Sequence, residues 1–367
     1  MTRAINSSLI AIIISLTSIF NLYAFDQTAP NFKAIDASTL TIINKAMDNG
    51  DSLQRIDESR YEMPEKSRNG MRHSTGLAIL FTTNSRNINA EWETAHNYSG
   101  KNMTPIFHSG LDLYIRDGKE WIYAGSARPS LTGKLHASTI VNNMAEGEKE
   151  CMLYLPMFNE LSSLKLYIDK EATITPLTSP FKHQIIFVGS SLTHGASASR
   201  PGAAYVARLG RMFNAETPNI GLSGRCKLDN YFADIVCDSE ADAFIFDTFS
   251  NSTKAQIEER LYNFVKRITE VHPDKPMIFL QTIKRDAGYF NLKGAQYNNE
   301  QRAEAEAQMR KICREFKHVY FINPGIYAGD DHEGTIDGTH LNDLGVQRTL
   351  DVIAPKIEKI LRKYGVK

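Results

Sequence analysis

Ile185-Ile186-Phe187-Val188-Gly189-Ser190-Ser191-Leu192-Thr193-His194-Gly195 passes from a short apolar run into a turn of small residues. A helix-like segment follows from about Ala203. A strand that ends in glycine and serine and hands over to a helix sets one side chain at the carboxyl edge of a sheet, where open α/β folds bind their ligands. Gly189 and Gly195 let the chain turn sharply and let a substrate come close. Ser191 is the polar group best placed on this turn, and its hydroxyl is expected to act as a nucleophile. The spacing is not the G-x-S-x-G elbow of α/β-hydrolases.

Downstream, short apolar strands alternate with longer helical segments. Strands are expected at Ile185–Val188, weakly near Pro218–Gly221, then at Ala243–Phe246, Met277–Leu280 and Val319–Ile322. Helical patterns cover Leu228–Val236, Gln256–Val271, Glu300–Phe316 and Asp343–Tyr364, the last with Val352, Ile353, Ile357, Ile360 and Leu361 on one face. This alternation predicts an α/β domain over residues 181–367, a doubly wound parallel five-stranded sheet with crossovers on both faces.

Upstream the pattern is all-β. Leu77–Phe81 is strand-like, Ile88, Ala90 and Trp92 alternate, and Leu111, Leu113 and Ile115 lead to a hairpin turn at Asp117-Gly118 and a return strand from Trp121. Met152–Leu155 and Leu164–Ile168 continue the series, so residues 25–180 are expected to form a β-sandwich of the jelly-roll kind. Only Ser38–Asn49 reads as helical. Residues 1–24 read as a signal peptide: Arg3, an apolar stretch from Leu9 to Phe20, and a cleavage point after Tyr23-Ala24. The apolar part is too short and serine-rich for a stable membrane span. An exported protein, periplasmic or secreted, is expected.

Lys plus Arg and Asp plus Glu are equal at 42 each, so there is no net field to attract nucleic acid. The four cysteines are far apart and lack a C-x-x-C pair, which argues against a cysteine-built zinc site and for free thiols. Cys226 and Cys237 would flank a helix and stand too far apart to bridge. Asp330, Asp331, His332 and Glu333 are consecutive, so their side chains diverge and suit a solvated loop rather than a metal. No cofactor is expected.

A serine attacks an acyl carbon only if a base takes its proton. Among ten histidines, His340 stands out: it follows the last strand and has Asp337 three residues earlier, a spacing that lets a carboxylate hold Nδ1–H and turn Nε2 to the serine. The tetrahedral intermediate needs donors for its oxyanion. The N–H of Ser191, the glycine-rich end of Asn219–Gly224 and the Asn251 amide lie after successive strands and can supply them. His194, Arg200, Arg225, Trp92 and Trp121 are weaker candidates for substrate contact, and His272 is placed to cap a helix.

The four blocks resemble, in order, those of the SGNH (GDSL-type) hydrolases. Ser191 matches the nucleophile, Gly224 and Asn251 the oxyanion donors, and Asp337 and His340 the D-x-x-H pair. Ser190 replaces the Asp of the first block, and the third block lacks the usual G-x-N-D. Ala196–Gly202 and Ser109-Gly110-Leu111-Asp112-Leu113-Tyr114 are similar to a subgroup with a jelly-roll-like domain before the hydrolase. The resemblance implies a flavodoxin-like sheet and a metal-independent esterase acting on short O-acyl groups, acetyl above all, of carbohydrates. A lipid-directed acylhydrolase and an inactive glycan-binding protein are the alternatives. Oligomeric state stays open.

Overall fold

The computed structural model describes residues 31–96, 100–325 and 327–367; the signal-peptide reading lies outside them. Ten strands form the first half: β1 Phe32–Asp36, β2 Thr41–Ile43, β3 Ala78–Thr83, β4 Ile88–Thr94, β5 Leu111–Asp117, β6 Glu120–Ala127, β7 Leu135–Val141, β8 Lys149–Tyr154, β9 Leu161–Asp169 and β10 Ile174–Pro176. They make two antiparallel sheets, β1-β9-β4-β7 and β10-β3-β8-β5-β6 with β2 paired to β3. Period-2 alternation turns Phe81, Trp92, Leu113, Leu153 and Leu166 inward, where all are fully buried between the sheets. The Trp92 indole N–H donates to the Ser109 carbonyl at 2.8 Å. The β5–β6 hairpin turns on Gly118 and Lys119, with Asp117 still paired to Glu120.

Ser38–Asn49 is not a helix. The Asp36 carboxylate caps a single 3-10 turn, Ala37–Thr39, and the β-branched run Thr41-Ile42-Ile43 then pairs with β3. Tertiary pairing overrides a weak helical pattern there.

The second half carries β11 Ile185–Gly189, β12 Asn219–Gly221, β13 Ala243–Asp247, β14 Met277–Leu280 and β15 Val319–Ile322, all parallel in the order β12-β11-β13-β14-β15. Alternate side chains feed opposite cores. Ile186, Val188, Phe244, Phe246 and Phe279 pack under the helices Asn230–Cys237, Lys254–Val271 and Leu292–Glu315. Ile185, Phe187, Ile245 and Ile278 pack under Tyr205–Phe213 and Asp343–Arg362. The neighbours of β11 lie on opposite sides of it, so the sheet's order reverses there and a crevice opens at its carboxyl end.

The two halves are not separated by a clean cut. Ile56, Tyr61 and Met71, which precede β3, are buried in the core of the parallel sheet. All four cysteines are free, and Cys151 and Cys226 are buried. No helix among the described residues is long and apolar enough to cross a membrane.

Candidate active site

β11 ends against its neighbours with no room for a side chain. A Cβ on Gly189 would stand 2.0 Å from Thr193 Oγ1 and 2.7 Å from the Asp247 carbonyl, so only glycine fits. The Ser190 N–H donates to that carbonyl at 3.2 Å. Its hydroxyl accepts from the Leu192 N–H at 3.3 Å, capping the short helical turn Ser191–His194. Ser190 thus does a cap's work where the family pattern has Asp. Gly195, at φ 91°, closes the turn, leaving Ser191 as its first residue, only 7 % exposed.

His340 arrives from the loop before Asp343–Arg362. The bridge between Thr335 and Leu341 pinches this loop, and the Ile336 N–H donates to the His340 carbonyl at 2.9 Å. His340 Nε2 lies 2.9 Å from Ser191 Oγ, and Nδ1 lies 2.8 Å from Asp337 Oδ2. The His340 N–H also donates to Asp337 Oδ1 at 2.9 Å. With the Nδ1 proton given to Asp337, Nε2 is left as acceptor for the serine hydroxyl. Burial pushes the Asp337 carboxyl up, but hydrogen bonds from His340 and Asn102 outweigh it and hold the pKa below the usual range. Serine, imidazole and carboxylate form one continuous chain.

Asn102, from the β-rich half, donates through Nδ2 to Asp337 Oδ2 at 2.9 Å and stands 3.3 Å from His340 Nδ1. The residue pattern held no sign of it: a lone Asn far from the other blocks acquires its partner only through packing.

Gly224 sits at φ 70° facing open space. Together with Ser191, Asn251, Leu192 and Ile283 it lines a cleft of about 230 Å³. Asn251 Nδ2 donates to the Arg225 carbonyl at 2.7 Å, which orients the amide and leaves a second N–H on that nitrogen. His194 is not exposed to substrate. It stacks on Phe158 at 3.7 Å, holds the Met157 carbonyl through Nε2 at 2.7 Å, and accepts the Ser223 N–H on Nδ1 at 3.2 Å. Complete burial, aided by Arg55 and His73, depresses its pKa well below the ordinary value and keeps it neutral. Beneath the same loop, fully buried Arg55 donates to the carbonyls of Asn219, Gly221 and Gly70.

The weaker candidates have other work. Arg200 binds Asp112 at 2.8 Å and Tyr114 Oη at 2.6 Å, clamping Gly110-Leu111-Asp112-Leu113-Tyr114 to the segment after Ser191. Trp92 and Trp121 are core residues. His272 caps its helix and meets the Val236 carbonyl at 3.0 Å. Asp331 pairs with Arg348, and His332 lies 3.2 Å from Asp286.

Residues 182–358 match the GDSL-like lipase/acylhydrolase family, and residues 31–174 match the N-terminus of SGNH hydro-type esterases. Curated proteins yield no match. A candidate GDSL-like lipase from Bacteroides ovatus is 40% identical, with 90% of this chain and 98% of that chain aligned at a TM-score of 0.88. The salicylyl-acyltransferase of a tetracycline biosynthetic pathway shares the fold at 17% identity and a TM-score of 0.71, over 90% of this chain and 98% of that one. An acetyl xylan esterase from the rumen bacterium Butyrivibrio proteoclasticus does so at 12% identity and 0.55, over 92% and 99%. The chain belongs to the GDSL-like (SGNH) lipase/acylhydrolase family of hydrolases.

Proposed function

We propose that the protein is a serine esterase that removes short O-acyl groups, acetyl first, from carbohydrates through an acyl-enzyme. The observation that carries this reading is the unbroken chain Ser191–His340–Asp337, with contacts of 2.9 Å and 2.8 Å. Ser191 Oγ attacks the acyl carbon as its proton passes to His340 Nε2. Asp337 keeps the ring oriented and stabilises the imidazolium. The N–H groups of Ser191 and Gly224 and the free amide N–H of Asn251 stabilise the oxyanion. His340 then protonates the departing alkoxide, and the same steps with water as nucleophile release the acid.

The small cleft, about 230 Å³, favours a short acyl group over a lipid chain. The fold shared with an acetyl xylan esterase supports a carbohydrate substrate. The residues before Phe25 support export, which N-terminal sequencing of the mature protein tests. Hydrolysis of p-nitrophenyl acetate, butyrate and octanoate tests the chemistry. Acetate should be cleaved fastest, and Ser191→Ala should lose on the order of 10⁶ in kcat. Rates that climb toward octanoate would replace the carbohydrate reading with a lipid one.

A further inference from the structure

Beside the catalytic cleft lies a second cavity of about 420 Å³, and Arg285 lines both. It is walled by the chain leaving β14 (Arg285–Tyr289), by Asn298 on the helix Leu292–Glu315, and by Gly329–His332. Its size falls within the range of small-molecule sites, roughly 300–1,000 Å³, whereas the catalytic cleft alone is smaller.

Two buried donors just behind its wall lack partners. Asn298 is 2 % exposed, and its Oδ1 accepts the Arg285 N–H at 3.2 Å. That bond fixes the amide's orientation, and Nδ2 is left with nothing to donate to. Arg285 spends Nη2 on the Ser250 carbonyl, while Nε is likewise unpaired. Leaving a buried donor unpaired is costly, and both nitrogens are closed off from the cavity itself, so a small turn of either side chain toward the cavity would bring its N–H to an acceptor oxygen there. Lys284 and Arg285 are matched by Asp286 and Asp330, which gives an anion no net attraction. Tyr289 is 63 % exposed at the rim, with its ring braced by His332 at 4.4 Å and by Phe290 at 4.8 Å. The Ala287 N–H donates to the Gly338 carbonyl at 3.0 Å, and Thr335 Oγ1 donates to Asp286 at 2.9 Å. The cavity floor is therefore joined to the loop that carries Asp337 and His340.

We infer that this cavity binds an uncharged sugar unit on the alcohol side of the ester, with a sugar face on Tyr289 and with ring and hydroxyl oxygens drawing the Asn298 and Arg285 N–H groups round toward the cavity. This rests on the esterase reading above and adds where its leaving group sits. The test compares kcat/KM on acetylated xylo-oligosaccharide with kcat/KM on p-nitrophenyl acetate, for wild type, Tyr289→Ala and Asn298→Asp. Asn298→Asp keeps the acceptor that Arg285 uses and removes the free donor. Calorimetric titration of Ser191→Ala, with and without Tyr289→Ala, against xylohexaose, cellohexaose and oligogalacturonate measures binding apart from turnover.

The oligosaccharide-to-p-nitrophenyl ratio should fall about tenfold in Tyr289→Ala and severalfold in Asn298→Asp. Binding of a neutral oligosaccharide to Ser191→Ala should weaken to match. A ratio that stays put while both rates drop would make Tyr289 merely structural and overturn the inference. So would stronger binding of oligogalacturonate, or no binding that depends on Tyr289. Serine-dependent p-nitrophenyl acetate hydrolysis without sugar binding would sink the subsite and leave the esterase standing. Tyr289-dependent sugar binding without any serine-dependent hydrolysis would do the reverse.

Discussion

Asp337 and Asn102 share the task of holding His340, and they should fail differently. Asp337→Asn removes the carboxylate that fixes the imidazole tautomer, and kcat should drop on the order of 10⁴. Asn102→Ala removes a single donor to that carboxylate, at 2.9 Å, and kcat/KM should fall about tenfold with the fold intact. Steady-state rates on p-nitrophenyl acetate check both, and an Asn102→Ala enzyme as fast as wild type would remove Asn102 from the site. Asp247 gives a pH prediction. Burial pushes its carboxyl up to about 7, with hydroxyls of Thr193 and Ser250 opposing. The folded state therefore binds a proton between pH ~4 and ~7 that the unfolded state has released. Stability from this group falls as pH rises through that window and levels off above it. Asp247→Asn should gain on wild type by up to a few kcal/mol from pH 4 to pH 8. Neutral His194 acts in the opposite direction, losing stability as pH falls below ~6.5, but it cancels when variant and wild type are compared at each pH. Denaturant melts at pH 5 and pH 8 read the difference, and an equal ΔΔG at both would contradict a raised Asp247. Ser191, Asp337 and His340 were legible because strand-end and D-x-x-H patterns are local. Asn102 and Asp247 were not, since each matters through neighbours remote in the chain.

The element most in need of support is β12, a short edge strand that leads into the Gly224 loop. Arg55 supplies that support from the β-rich half, with hydrogen bonds of 2.8 Å to each of two β12 carbonyls. Burial depresses its pKa to about 9, so the same charge carries a desolvation cost. Arg55→Met should destabilise the protein by about 3 kcal/mol by orphaning its carbonyl partners, and Arg55→Lys should recover only part because it lacks the guanidinium fork. Thermal melts decide it, and an unchanged Tm for Arg55→Met would show that water replaces the guanidinium. Among the elements, β14 and β15 match their sequence boundaries, because each is a short apolar run: β14 is wholly buried within the parallel sheet, and β15, at its edge, leaves Tyr320 and Phe321 half-buried. The helix Leu292–Glu315 begins well before Glu300, because its first turns are polar and exposed and show no apolar period. Asn298 and Gln301 are buried there as polar groups, which no hydrophobic pattern reveals.

Across the whole molecule, the two halves interlock at the site rather than merely adjoin. Asp112 meets Arg200 and the Gly202 N–H, Met157 and Thr75 meet His194, and Asn102 meets Asp337. The full chain should unfold in one cooperative transition. Residues 182–367 expressed alone should lack esterase activity, because Asn102, Arg55 and the His194 partners are all missing. An active fragment with the wild-type Tm would show that the β-rich half is dispensable. Composition and alternation made both architectures legible, but not their interlock, because contacts between halves leave no periodic trace.

Covalent labelling of the intact protein by a fluorophosphonate, read by peptide mass spectrometry, tests the proposed nucleophile most directly. A single adduct on the peptide carrying Ser191, lost in Ser191→Ala and strongly slowed in His340→Ala, is the expected result. No adduct, or one that survives Ser191→Ala, would contradict an activated Ser191 and with it the esterase mechanism.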